Sequence, residues 1–73
     1  MPLSMFKAGE TARVLHVGGA EATRRHLGSL GFSTGTVVRV IEDTEGGKIV
    51  GVHESRLALN DELARRIDCM ATK

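Results

Sequence analysis

The chain has 73 residues, with ten basic and nine acidic side chains, a formal net charge of +1, two phenylalanines and no tyrosine or tryptophan. A domain of this size buries only about 60% of the surface its unfolded form exposes, so the core is thin and little protein is left to support an enclosed catalytic cleft. The interspersed, nearly balanced charge leaves no electrostatic footprint for nucleic acid or a membrane surface, and two aromatic rings are too few for a platform on which bases stack.

From Glu10 to Val17 the chain reads ETARVLHV, rich in β-formers, with Ala12, Val14 and His16 alternating with Arg13, Leu15 and Val17. This pattern predicts a strand, stopped by Gly18 and Gly19. From about Ala20 to Leu30 the period changes. Ala20, Thr23, Leu27 and Leu30 fall on one side and Glu21, Arg24, Arg25 and Ser29 on the other, as in a short amphipathic helix. TVVRVIED, Thr36 to Asp43, and KIVGVHE, Lys48 to Glu54, then predict two strands with Val38, Val40, Val50 and Val52 facing the core. The intervening Thr44-Glu45-Gly46-Gly47 predicts a tight hairpin whose Gly-Gly pair supplies positive φ angles. SRLALN, Ser55 to Asn60, reads as a further short strand carrying Leu57 and Leu59. Asn60 suits a helix N-cap, with Asp61 and Glu62 at the positive end of a one-turn helix. Leu63 and Ile67 are expected to point inward, Arg66 to Met70 to form the last strand, and Ala71 to Lys73 to fray.

Five short strands in so small a domain must not leave both sheet edges bare, and curling into a small barrel avoids that. The expected fold is therefore mainly β: a single domain over residues 1–73, an SH3-like five-stranded barrel with one inserted α-helix and a C-terminal helical turn.

The helix and its exit, RRHLGSLGFSTG from Arg24 to Gly35, hold three glycines in twelve residues. Gly31 suits the residue just past a helix ending at Leu30, where a left-handed conformation is favoured. Leu27 and Phe32 are then the pair that make the hydrophobic contact of a Schellman cap. Gly35 serves the turn into the next strand. Gly28 lies inside the helix, where glycine is roughly 1 kcal/mol worse than alanine, so something should pass close to its bare backbone. Close packing within the barrel is the favoured explanation and contact with a partner the other.

Gly18-Gly19, the run RRHLGSLGFSTGTVVRV from Arg24 to Val40 and the closing segment SRLALNDELARRIDC from Ser55 to Cys69 resemble, in order and spacing, the FeoA family of bacterial ferrous iron uptake. The resemblance extends from about Leu3 to Met70 and implies an SH3-like barrel, in agreement with the strands read independently. It also implies a cytoplasmic accessory protein that docks on FeoB, a membrane transporter with a cytoplasmic GTP-binding domain, and meets the membrane only through that partner. The chain has no GxxxxGK[ST] phosphate loop of its own. The expected docking surface is Arg24, Arg25, Gly28, Leu30, Gly31 and Phe32, because arginines beside apolar anchors are what interface hot spots are built from. Packing competes with docking for Leu30 and Phe32, and a solvated helix face competes for Arg24 and Arg25.

Other functions find less support in the residues. His16, His26, His53, Glu54, Asp68 and Cys69 are the candidate ligands for a metal-binding or metal-sensing module, but no HxH or HxxxH spacing is present, and His53 and Glu54, adjacent on a strand, would point to opposite faces. No metal site and no cofactor is expected. Cys69 is the lone cysteine and reads as a small apolar strand residue, which fits a reducing compartment. The N-terminal MPLSMFKAGE has neither an apolar core nor a basic leader, so no signal peptide is expected. An RNA- or ribosome-associated barrel would need Arg13, Arg24, Arg25, Arg39 and Arg56 on one face. The barrel found at the C-terminus of metal-dependent repressors is another relative, without the helix-turn-helix that would read DNA. No base and nucleophile stand at usable spacing, so an enzyme is not expected.

Overall fold

In the computed structural model, which describes residues 1–72, the chain folds into five antiparallel strands and two short helices. In chain order these are β1 (Thr11–Val17), α1 (Glu21–Ser29), β2 (Val37–Thr44), β3 (Gly47–Val52), β4 (Ser55–Asn60), α2 (Asp61–Arg65) and β5 (Ile67–Ala71). The strands form one sheet in the order β4-β3-β2-β1-β5. Its inward residues, from every strand, meet in one cluster with Leu27 of α1, as expected of a small curled barrel. Val38, Val40, Val50 and Val52 all lie there. No helix among the described residues is long and apolar enough to cross a membrane.

The expected elements are all present, and their ends differ for local reasons. The strand expected to run to Glu54 stops at Val52, because His53, with φ of 56°, and Glu54 make the turn into β4. In the β2–β3 turn only Gly46 has a positive φ, 84°. Gly47 instead pairs with Thr44, and a Cβ on it would lie 2.3 Å from the Leu59 carbonyl oxygen of β4, so its glycine answers a close approach rather than a turn angle. Ala71 belongs to β5, and the Thr72 N–H donates to the Thr11 carbonyl at 3.3 Å, so the end of the chain is paired where fraying was expected; Lys73 lies outside the described residues. The segment before β1, to which no element was assigned, makes a single 3-10 turn, Leu3–Met5, that buries Leu3 and Phe6 against the core.

Two β-bulges, one in β1 between Val14 and His16 and one in β2 between Val40 and Glu42, interrupt the pairing. An extra residue on one strand bends and twists it. In β1 it also changes which residues face in: Ala12 and Val14 are buried, then His16 stays exposed and Val17 packs on the core.

The helix ends as a Schellman cap. The Phe32 N–H donates to the Leu27 carbonyl at 3.1 Å and the Gly31 N–H to the Gly28 carbonyl at 3.0 Å, with Gly31 at φ of 107°. Leu27 and Phe32 are both buried in the cluster. Asn60 caps α2 as expected, its side-chain oxygen accepting from the Leu63 N–H at 2.8 Å. The expectation for Gly28 fails on its favoured side: a Cβ there would meet nothing within 4 Å, so no part of the fold packs against this backbone.

Among the described residues one charged side chain is buried. Lys48 faces inward on β3, only 6% exposed, and its ammonium is paired with the Asp43 carboxylate, which also accepts from the Ala8 N–H at 3.2 Å. The valines of β3 mark its inward face, and Lys48, two residues before Val50, shares that face. A lysine tolerates such a position when its head group is paired.

The glycines yield opposite expectations. Gly28→Ala should stabilise the fold by roughly 0.5–1 kcal/mol, because it removes backbone freedom from the unfolded chain without a clash. Gly31→Ala should destabilise it by at least about 1–2 kcal/mol, from the left-handed conformation and because its Cβ would lie 2.9 Å from Val52 Cγ1. Denaturant melts of the two variants check both signs. The Asp43 carboxyl is held below its ordinary value of 3.8, chiefly by the hydrogen bond from Lys48 and then by the Ala8 N–H. Its contribution to stability is therefore present above that ordinary value and is lost as pH falls through the lower, folded one. Asp43→Asn should lower stability at neutral pH and flatten the acid side of a stability–pH profile.

Candidate docking surface

The sheet's inner face and α1 share the core, and α1 turns Leu27 into it. That orientation leaves Arg24, Arg25 and Gly28 exposed, with Arg24 and Gly28 four apart and so neighbours beside the buried Leu27 stripe and Arg25 on the helix's far side. Arg25 pairs with Glu21 at 2.9 Å, but both side chains are more than 70% exposed, so the pair adds little to stability and is easily exchanged for another partner. Arg24 has no carboxylate within ion-pair distance among the described residues. Leu30 and Gly31 are half-buried at the exit.

Of the six residues expected to form the surface, the structure brings Arg24, Arg25, Gly28, Leu30 and Gly31 together. Phe32 is only 1% exposed and supports the surface from the core. His53, a candidate ligand by its sequence, lies instead beside the helix exit: a Cβ on Gly31 would sit 3.0 Å from its Cδ2. Its exposed turn therefore borders the helix exit. Nothing in the local sequence signals this, because α1 and the β3–β4 turn meet only through the tertiary fold.

The candidate metal ligands are dispersed. His16 lies opposite Asp68 in the β1–β5 pairing, His26 is in the last turn of α1, and His53 and Glu54 form the β3–β4 turn. Among the described residues no three His, Cys, Asp or Glu side chains converge. Cys69 is fully buried, and burial, with the nearby Asp68 charge, pushes its thiol up to about 11. The five arginines of the RNA reading divide between two places: Arg24 and Arg25 lie on α1, whereas Arg13, Arg39 and Arg56 lie on strands.

Fold and surface together define a small one-sheet barrel module whose distinctive residues are displayed rather than enclosed. The chain belongs to the FeoA domain family, whose profile matches residues 1–70. Members are accessory proteins associated with ferrous iron transport. Among solved structures, it is similar to an iron uptake regulatory protein, FeoA, at 29% identity, with 99% of this chain and 96% of that one covered and a TM-score of 0.91. It is also similar to FeoA of Chlorobium tepidum, at 28% identity over 100% of this chain and 71% of that one, with a TM-score of 0.85. A third is Stenotrophomonas maltophilia FeoA, solved with zinc and described as a prokaryotic SH3 domain protein, at 29% identity over 96% and 89% of the chains, TM-score 0.84. A manganese-dependent transcriptional repressor shares the fold over 41% of its own length, at 21% identity and a TM-score of 0.89. No curated protein sequence matches the chain.

A buried thiol held protonated is a poor nucleophile and a poor ligand. Cys69 should accordingly resist a thiol-reactive disulfide reagent in the native protein and react fully in denaturant, which a colorimetric thiol assay with and without urea measures.

Proposed function

We propose that this chain is a cytoplasmic accessory protein of ferrous iron uptake that docks, through α1 and its exit, on the GTP-binding part of a FeoB-type transporter. It acts as a protein-binding module rather than an enzyme and meets the membrane only through that partner. The observation that carries the reading is Gly28. It weakens the helix, yet a Cβ on it would touch nothing within 4 Å; a side chain is therefore not excluded by the fold, and close approach by a partner gives the bare backbone a use. Arg24 and Arg25 flank that bare backbone with side chains suited to interface hot spots. The Schellman cap supports the same reading: it fixes Leu30 and Gly31 rigidly beside them, so little order has to be gained on binding.

The test is binding of the purified chain to the transporter's GTP-binding domain, loaded with GDP or a non-hydrolysable GTP analogue, with and without ferrous iron under anaerobic conditions. Arg24→Glu with Arg25→Glu should leave stability within about 0.5 kcal/mol, since both residues are exposed, and should abolish docking. Gly28→Ala should bind more weakly although it folds more stably. Normal docking by both variants would remove α1 from the interface.

A further inference from the structure

The outer face of the sheet carries a second constellation, which docking through α1 leaves unused. The strand register sets Thr11 of β1 opposite Arg39 of β2, Arg39 opposite Gly51 of β3, and Gly51 opposite Arg56 of β4. Arg39 and Arg56 are both exposed, and neither has a carboxylate within ion-pair distance among the described residues. Two strand spacings, roughly 10 Å, separate their backbones, and the residue between them has no side chain. A shallow cleft of about 320 Å³, lined by Gly9, Arg39, Val40, Ile41 and Arg56, opens at this place. The neighbouring row runs Val37, Arg13, Met70 across β2, β1 and β5, with Val37 46% and Met70 50% exposed. Neither row holds an acidic residue.

We infer that this face binds an acidic segment of a protein partner, its carboxylates seated on Arg39 and Arg56 across Gly51 and an apolar side chain on Val37 and Met70. A guanidinium offers two parallel N–H donors to a carboxylate, which gives direction as well as attraction. The Ile41 side chain lies over the Gly51 backbone, its Cδ1 3.3 Å from where a Cβ would stand, and gives the cleft between the two arginines an apolar floor. Apolar neighbours suit a peptide better than a sugar–phosphate chain, and both phenylalanines are in the core, so no exposed phenylalanine is available to stack on a base.

The experiment is an NMR titration of the isotopically labelled chain with three probes. These are a peptide alternating glutamate and valine, an equally long peptide alternating lysine and valine, and a uridine oligonucleotide of the same negative charge. The glutamate peptide should move the amide signals of Val37, Arg39, Gly51 and Arg56. Arg39→Glu with Arg56→Glu should weaken it at least about tenfold while leaving the rest of the spectrum in place. Arg24→Glu with Arg25→Glu should bind the peptide as the parent chain does, which separates this face from the helix surface. Equal binding of the lysine peptide, tighter binding of the oligonucleotide, loss of the peptide in the helix variant, or no shift with any probe would each overturn the inference.

Discussion

The left-handed turn at Gly31 is the constraint on which the rest of the molecule depends. Over the six residues from Leu27 to Phe32 the chain must leave a helix, reverse, and return a second large side chain to the same core. The cap's two hydrogen bonds, with φ of 107° at Gly31, achieve this in very few residues. The consequence reaches beyond the helix. With Leu27 and Phe32 both anchored, the exit is pressed against Val52 and the His53 turn, and the first half of the chain is registered on the second. A thin core gains its definition from such anchors, because it has few side chains to spare.

Closure of the sheet follows a similar economy. β4 and β5 are its two edges, and among the described residues no ladder joins them. The one-turn α2, capped by Asn60, spans the connection between them and buries Ala64 there. The other edge of β5 is covered by the start of the chain: the Cys69 N–H donates to the Met1 carbonyl at 2.7 Å and Pro2 bridges to Asp68. Near the β2–β3 turn, Asp43 joins Lys48 to the backbone of Ala8 and so fastens the N-terminal segment to the sheet. An edge covered as β5 is does not invite association.

Much of this was legible from local patterns. Alternating valines, the Asn60 cap and the Leu27–Gly31–Phe32 spacing are signals in which sequence and backbone geometry correspond almost one to one, and each stands where it was read. What stayed hidden was non-local. The bulge after Val14, which turns His16 outward, depends on the partner strand β5. The burial of Lys48 depends on Asp43 reaching across the hairpin, and the role of Gly47 depends on how near β4 passes. Within the candidate segment from Arg24 to Phe32, which side chains are packed and which are displayed was not legible. Leu27 and Phe32 bury themselves while Arg24, Arg25 and Gly28 remain in solvent, and periodicity alone cannot distinguish a packed phenylalanine from a displayed one.

A molecule with this much of its apolar surface committed to a single cluster has only its exterior with which to act. The described residues expose 4584 Å², and a partner bound through a standard interface covers about 800 Å², roughly a sixth of that. The helix surface lies on the core side of the sheet and the arginine rows lie on its other face, so occupation of one leaves the other open. The two also differ in kind. On α1 a rigid, capped helix offers a bare backbone beside two arginines, which suits a preformed surface. On the sheet, charge and exposed apolar residues run in rows across the strands, which suits an extended segment lying along them. The two proposed surfaces would together let a small accessory domain bridge a folded domain and an extended acidic segment without any cavity.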